Sequence, residues 1–190
     1  MKFNIIVAYS KNNGIGLHNK LPWNIKSDLL KFRKLTIGNG NNAIIMGKNT
    51  WESLPFKPLG VRDNLILSKS LILDSSKYNE KKSKDYFCKS FKDSESLLDY
   101  CNDKNYETIW IIGGNSIYEN FLNNHNKTVN DIEINVNEIY VTYLDAEFEC
   151  DTFFPKLDEK KYQVIEKTLH ENSMIEYDFN IYDMIYKNTN

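Results

Sequence analysis

Short apolar runs alternate along this chain with helical patterns, and that alternation limits what it can fold into. The runs are Phe3 to Tyr9, Asn42 to Met46, Asn64 to Leu67 and Thr108 to Ile112. Between and after them, 3.6-residue periodicity predicts helices over Ile25 to Thr36, Thr50 to Leu54, Ser94 to Asn102 and Ser116 to Asn123. A nearly continuous apolar run suits a strand covered on both faces, and parallel strands need crossovers of helical length. The expectation is an α/β fold with a largely parallel sheet and flanking helices. The last third reads differently. Glu138 to Leu144 is β-rich, and Ile175, Tyr177, Phe179 and Ile181 alternate with polar residues before the phase slips at Tyr182, Met184 and Tyr186. Antiparallel strands closing one edge of the sheet are expected there, with a β-bulge near Ile181-Tyr182.

Composition narrows the partners. At 190 residues, 41% hydrophobic and 13% aromatic, the chain can fill one core, and one domain over residues 1–190 is expected. A net charge of -2 argues against nucleic acid or an anionic membrane as the main partner and leaves small molecules. The first apolar run is too short for a secretion signal or a membrane span, so a cytoplasmic protein is expected. Cys88, Cys101 and Cys150 are widely spaced and read as buried thiols; with His18, His125 and His170 they form no metal-ligand motif. Asp74 to Asp85 and Asn123 to Asn137 read as surface embellishment. A monomer is expected, because no apolar helix face is left over.

The stretch from Leu21 to Phe32 holds the most suggestive acid. Pro22 favours an extended predecessor and Asn24 can cap a helix starting near Ile25. Asp28 then falls in the first turn, between Ile25 and Leu35 on the wheel, near the apolar stripe of Ile25, Leu29, Phe32 and Thr36. Two readings stand side by side. An acid in a first turn meets the positive end of the helix dipole; alternatively, a carboxylate turned into an apolar cleft has a raised pKa and handles protons.

Two strand-to-helix turns share one plan: Met46-Gly47-Lys48-Asn49-Thr50-Trp51 and Ile112-Gly113-Gly114-Asn115-Ser116-Ile117-Tyr118. A helix start offers free amides, and glycine lets a phosphate approach the backbone, so two such turns can hold the two ends of a dinucleotide. Neither is a G-x-G-x-x-G fingerprint or a P-loop. Lys48, Lys69 and Lys89 are spaced to converge at sheet ends, as an extra phosphate would require.

Taken in order, these residues resemble the dihydrofolate reductase family along nearly the whole chain. The motifs are Gly14-Ile15-Gly16 with Leu21-Pro22-Trp23, Asp28-Leu29 with Phe32, Met46 to Ser53, Pro58-Leu59 with Arg62, Leu67-Ser68-Lys69, Ile112 to Tyr118, Ile139 to Thr142, and Asp151 to Pro155. The resemblance implies an eight-stranded, mostly parallel sheet and NADPH-dependent reduction of 7,8-dihydrofolate to tetrahydrofolate, feeding one-carbon metabolism and thymidylate synthesis. It implies that Asp28 supports protonation of the pterin, with Trp23 and Leu21 nearby and Thr142 bonded to Asp28. Ile6, Val7, Leu29, Phe32, Leu54 and Ile112 would line the substrate pocket, with Arg62 on the glutamate carboxylate. Ala8, Ile15, Gly16, Leu21 and Ile112 would border the nicotinamide, under a lid carrying Gly14 and Gly16. The rest of NADPH would meet Gly47, Lys48, Asn49, Thr50, Ser68, Lys69, Lys89, Gly114, Asn115, Ser116, Ile117 and Tyr118, with a cis Gly113-Gly114 peptide. No metal is implied.

The chain departs from the family pattern at Val61, where glycine commonly precedes the arginine, at Leu21, where many members have Met, and at Cys150, where a small residue is common. A reductase of another pterin or of a ribosylaminopyrimidine is the nearest rival. Asp28 beside Phe32 and Arg62 suits a p-aminobenzoyl-glutamate tail better. A non-catalytic dinucleotide-binding protein would have no need of Asp28, Trp23 and Thr142 together.

Overall fold

The computed structural model describes residues 2–73, 87–170 and 176–189. In chain order the elements are β1 (Phe3–Ser10), β2 (Gly14–Gly16), α1 (Lys26–Ile37), β3 (Asn42–Gly47), α2 (Lys48–Ser53), β4 (Asp63–Leu67), β5 (Cys88–Phe91), α3 (Ser94–Lys104), β6 (Thr108–Gly113) and α4 (Asn115–Asn123). They are followed by β7 (Lys127–Val129), β8 (Ile132–Ile134), β9 (Val136–Leu144), β10 (Thr152–Phe153), β11 (Tyr162–Leu169) and β12 (Ile181–Asn188). Each expected strand and helix of the alternating part is present, with ends displaced by a few residues.

Eight strands form one sheet in the order β11-β12-β9-β1-β6-β3-β4-β5. Pairing is parallel from β9 through β5. β12 runs against both its neighbours, β9 and β11, which makes the antiparallel C-terminal edge. The continuous apolar runs follow from burial on both faces. Phe3, Ile5, Val7, Ala43 and Ile45 pack on one side with Leu97, Leu98 and Phe121, while Ile6, Ile44 and Met46 pack on the other with Trp51 and the flank of α1. Asn42 ties the end of α1 to the sheet: its side chain donates to the Thr36 carbonyl and accepts from the Thr108 amide. No helix of the described residues is long and apolar enough to cross a membrane.

Four expectations are corrected. The α1 N-cap is Ile25, extended and without a side-chain cap, and not Asn24; Ile25 is buried beside Trp23, so packing fixes the helix start. β12 starts only at Ile181, with Glu176 and Tyr177 helical. Tyr177, Phe179 and Ile181 nonetheless join one apolar cluster with Trp23 and Phe148, so their alternation reports burial and not a strand. The bulge lies on β11, between Val164 and Glu166, since β12 pairs with β9 without interruption. The Asn123 to Asn137 stretch is partly core: β7 and β8 form a hairpin whose turn residues Asn130 and Asp131 have φ of 49° and 62°, and Ile132 and Ile134 are buried. The Asp74 to Asp85 stretch lies outside the described residues.

Candidate active site

In an open α/β sheet, ligand clefts form at the carboxyl ends of the strands where the chain switches direction. Here that place is β1, which has β6 on one side and β9 on the other. A cleft of about 760 Å³ opens there, lined by Ile6, Val7 and Ala8 of β1, Ile15 and Gly16 of β2, Leu21 of the loop after it, and Asp28, Leu29 and Phe32 of α1. Its other end is lined by Gly47, Lys48, Asn49, Thr50 and Leu54 around α2, by Ser68, and by Ile112, Gly114, Asn115, Ser116, Ile117 and Tyr118. That volume suits a bound small molecule.

Asp28 stands in the first turn of α1 with its carboxyl in the wall of the cleft. Burial raises its pKa above the ordinary aspartate value; the hydrogen bond from Thr142 and the charge of Lys31 pull the other way. Both readings of Asp28 are thus physically met: it is a first-turn acid, and it is desolvated. Thr142 is buried on β9, paired in register with Ala8 on one side and Asp183 on the other. Trp23 does not line the cleft. It is buried edge-on to Phe148, and its Nε1 has no hydrogen-bond partner among the described residues.

The two glycine turns place helix starts on the far end of the cleft. Asp93 caps α3 by accepting from the Ser96 amide, whereas α2 and α4 begin at Gly47 and Gly114 with no side-chain cap. First-turn donors are thereby left to a ligand, except the Ile117 amide, which donates to the Gly114 carbonyl. The Oδ1 of Asn115, also in the cleft wall, is buried without a partner among the described residues. Gly113 has φ of 104°, and a Cβ there would lie 2.8 Å from the Tyr118 ring. The Gly113–Gly114 peptide is cis. Tyr118 in turn donates to the Ile6 carbonyl, which fixes α4 against the middle of β1. Of the three lysines, Lys48 lines the cleft and reaches Ser70. Lys69 is exposed just after β4, outside the lining, and Lys89 sits over the rings of Phe91 and Tyr100.

Arg62 lies behind Phe32 and not in the cleft lining. It is 4% exposed, its guanidinium sits 5.5 Å from the Phe32 ring, and it donates to the Thr36 hydroxyl. Burial, with Arg33 nearby, lowers its pKa to about 10, so it stays cationic at neutral pH. Among the described residues no carboxylate pairs with it, and its Nε is unpartnered. Asn64 holds the turn that presents it, donating to the carbonyls of Leu59 and Arg62 and accepting from the Leu59 amide. The departure at Val61 has a visible consequence: this β-branched residue takes φ of 66°, a conformation glycine adopts without cost. Val61→Gly should therefore stabilise the protein by about 1 kcal/mol, a rise of roughly 2–4 °C in Tm for a domain of this size. An unchanged or lower Tm in calorimetry would show that the backbone there is unstrained.

The loop over the cleft is pinned by β10, which pairs with β2, and by Asp151, which accepts from the His18 amide at 2.8 Å. Cys150 fills the space beside Gly14, where a Cβ would collide with its Sγ. Cys150 is only partly buried, which corrects the expectation of three buried thiols; Cys88 and Cys101 are buried, and desolvation pushes both up to about 12. Sequence reasoning also passed over Lys20, Ser70 and Thr152 in the cleft wall, and over Lys31, Asp183 and His170 behind Asp28. Lys31 had a readable signal, since residues three apart on a helix share a face. Asp183 had none without the register of β12 on β9.

A sequence model of the family described as Dihydrofolate reductase matches residues 2–184. The dihydrofolate reductase of Heliothis virescens is 30% identical over 195 residues, spanning 98% of this chain and 97% of that protein. The Gallus gallus enzyme of that name is 33% identical over 193 residues, 94% of each. The bifunctional dihydrofolate reductase-thymidylate synthase 2 of Arabidopsis thaliana is 33% identical over 168 residues, which are 85% of this chain and 27% of that protein. With both the family match and the alignments running along nearly the whole chain, it belongs to the dihydrofolate reductase family of oxidoreductases.

Proposed function

We propose that this chain reduces 7,8-dihydrofolate to 5,6,7,8-tetrahydrofolate with NADPH, acting as a single-domain cytoplasmic monomer on small molecules. One observation carries the reading: a desolvated carboxylate, Asp28, faces a cleft whose other end is formed by two uncapped helix starts. NADPH, when bound, supplies a hydride from carbon 4 of its nicotinamide to carbon 6 of the pterin. The chain's residues do the rest. Gly47 to Thr50 and Gly114 to Tyr118 would hold the cofactor's phosphates and ribose, Ile6, Val7 and Phe32 would exclude water from the pterin, and Asp28 would hold its amino group and favour a proton on nitrogen 5. Arg62, cationic and without an acidic partner among the described residues, suits the carboxylate of a glutamate tail, which favours dihydrofolate over a pterin lacking one.

The test is the fall in NADPH absorbance when dihydrofolate is added, with tetrahydrofolate identified as product. No turnover from folded protein that still binds NADPH would point to a different pterin or a pyrimidine substrate. Lys69→Ala should weaken NADPH about tenfold while leaving NADH nearly unchanged, because only NADPH carries the extra phosphate. Equal loss for both cofactors, measured by fluorescence titration, would remove Lys69 from that site.

A further inference from the structure

Asp28 is reached from two sides. Behind it, away from the main cleft, a second cavity of about 410 Å³ is lined by Asp28 and Thr142 together with Lys31, His170 and Asp183. The carboxyl is thus a partition between two spaces. Lys31 Nζ lies 2.6 Å from Asp183 Oδ1 and donates to Thr142 Oγ1 at 3.2 Å. His170 Nδ1 is 3.9 Å from the other Asp183 oxygen. These groups come from three elements, α1, β9 and β12, and from the residue that follows β11.

The chemistry of the donors fixes the direction of this chain. An ammonium only donates, and a threonine hydroxyl has one proton to give. With Lys31 donating to the Thr142 oxygen, the Thr142 proton is left for Asp28. We propose that Lys31, clamped by Asp183, is a positioning residue for Asp28: it orients the Thr142 hydroxyl toward the carboxylate and sets, with Asp183 and His170, how tightly Asp28 holds its proton. This inference rests on the reading of Asp28 as the group that manages the substrate proton.

The charges around Asp28 act in opposed directions. Lys31 and protonated His170 favour its ionised form, Asp183 disfavours it, and burial opposes ionisation throughout. Lys34 and Glu166 also line the back cavity, with opposite signs, and on the main-cleft side the Asp28 charge acts on the Tyr118 phenol of α4. The plain alternative is a partly exposed ion pair that only adds a little stability. Stability and proton affinity separate the two.

The experiment is a carbon NMR titration of carboxyl groups in the cofactor-free protein, with the Asp28 resonance identified by its loss in Asp28→Asn. In Lys31→Met, Asp28 should bind its proton about tenfold more tightly than in wild type, because a nearby positive charge and an oriented donor are both lost. Lys31→Arg should restore the wild-type titration. Asp183→Asn should move it the other way, and it carries the test if Lys31→Met fails to fold. The pH profile of single-turnover hydride transfer should shift in the same sense as the titration. An Asp28 titration unchanged in both Lys31→Met and Asp183→Asn, or moved equally by Lys31→Met and Lys31→Arg, would overturn the assignment. Absence of dihydrofolate turnover in wild type, alongside the expected titration shifts, would instead overturn the functional reading and leave the positioning role standing.

Discussion

Asp28→Asn is expected to slow hydride transfer at neutral pH by about 10²- to 10⁴-fold, the range a positioned acid–base group supplies. The amide keeps the shape of the carboxyl and can still accept from Thr142, so the pocket should persist. Stability should not fall. A partly buried carboxylate whose pKa is raised by desolvation binds its proton more tightly folded than unfolded, so as pH rises toward and through the folded-state value it costs folding stability. The neutral amide removes that cost, and the Asp28→Asn protein should melt at the same temperature as wild type or slightly higher at pH 7, with the difference vanishing in acid. Activity should recover partly at low pH, where the substrate is protonated by solvent. Stopped-flow rates and calorimetry across pH read both effects; wild-type rates at neutral pH would remove Asp28 from proton transfer.

Arg62→Leu should raise the KM for dihydrofolate about 100-fold with little change in kcat, since on the proposed reading the glutamate carboxylate loses two charge-assisted bonds to the guanidinium, about 3 kcal/mol. The pterin end would be untouched. A dihydropterin without the glutamate tail should therefore be reduced equally well by both proteins, which separates lost recognition from a distorted pocket. Arg62 also donates to Thr36 and packs on Phe32, so Arg62→Lys, which keeps the charge, provides the milder comparison. An unchanged KM for dihydrofolate in both variants would assign Arg62 to structure alone.

Much of this was legible because strand burial writes itself into sequence. The runs beginning at Phe3, Asn42, Asn64 and Thr108 are apolar on both faces of the sheet, and the helices between them carry one apolar stripe each. The edge was harder. β11 has most of its residues exposed, so no hydrophobic pattern marks it, and the Tyr177, Phe179, Ile181 alternation came from the segment leading into β12 joining the Trp23 cluster. In the site, residues carried by local motifs, such as Gly47 to Thr50 and Gly114 to Tyr118, could be placed on one cleft from their turns. The contacts behind Asp28 could not. They depend on Asp183 lying opposite Thr142 across β12 and β9, a long-range register that a bulge assigned to the wrong strand would have displaced by one residue.

The most direct measurement is a reaction with NADPH deuterated at the transferred position, with the product examined by mass spectrometry and NMR. Tetrahydrofolate carrying one deuterium at carbon 6 is expected, formed rapidly by wild type and slowly by Asp28→Asn at neutral pH. Folded protein that binds the cofactor yet yields no labelled tetrahydrofolate, or that labels it equally fast without Asp28, would contradict it.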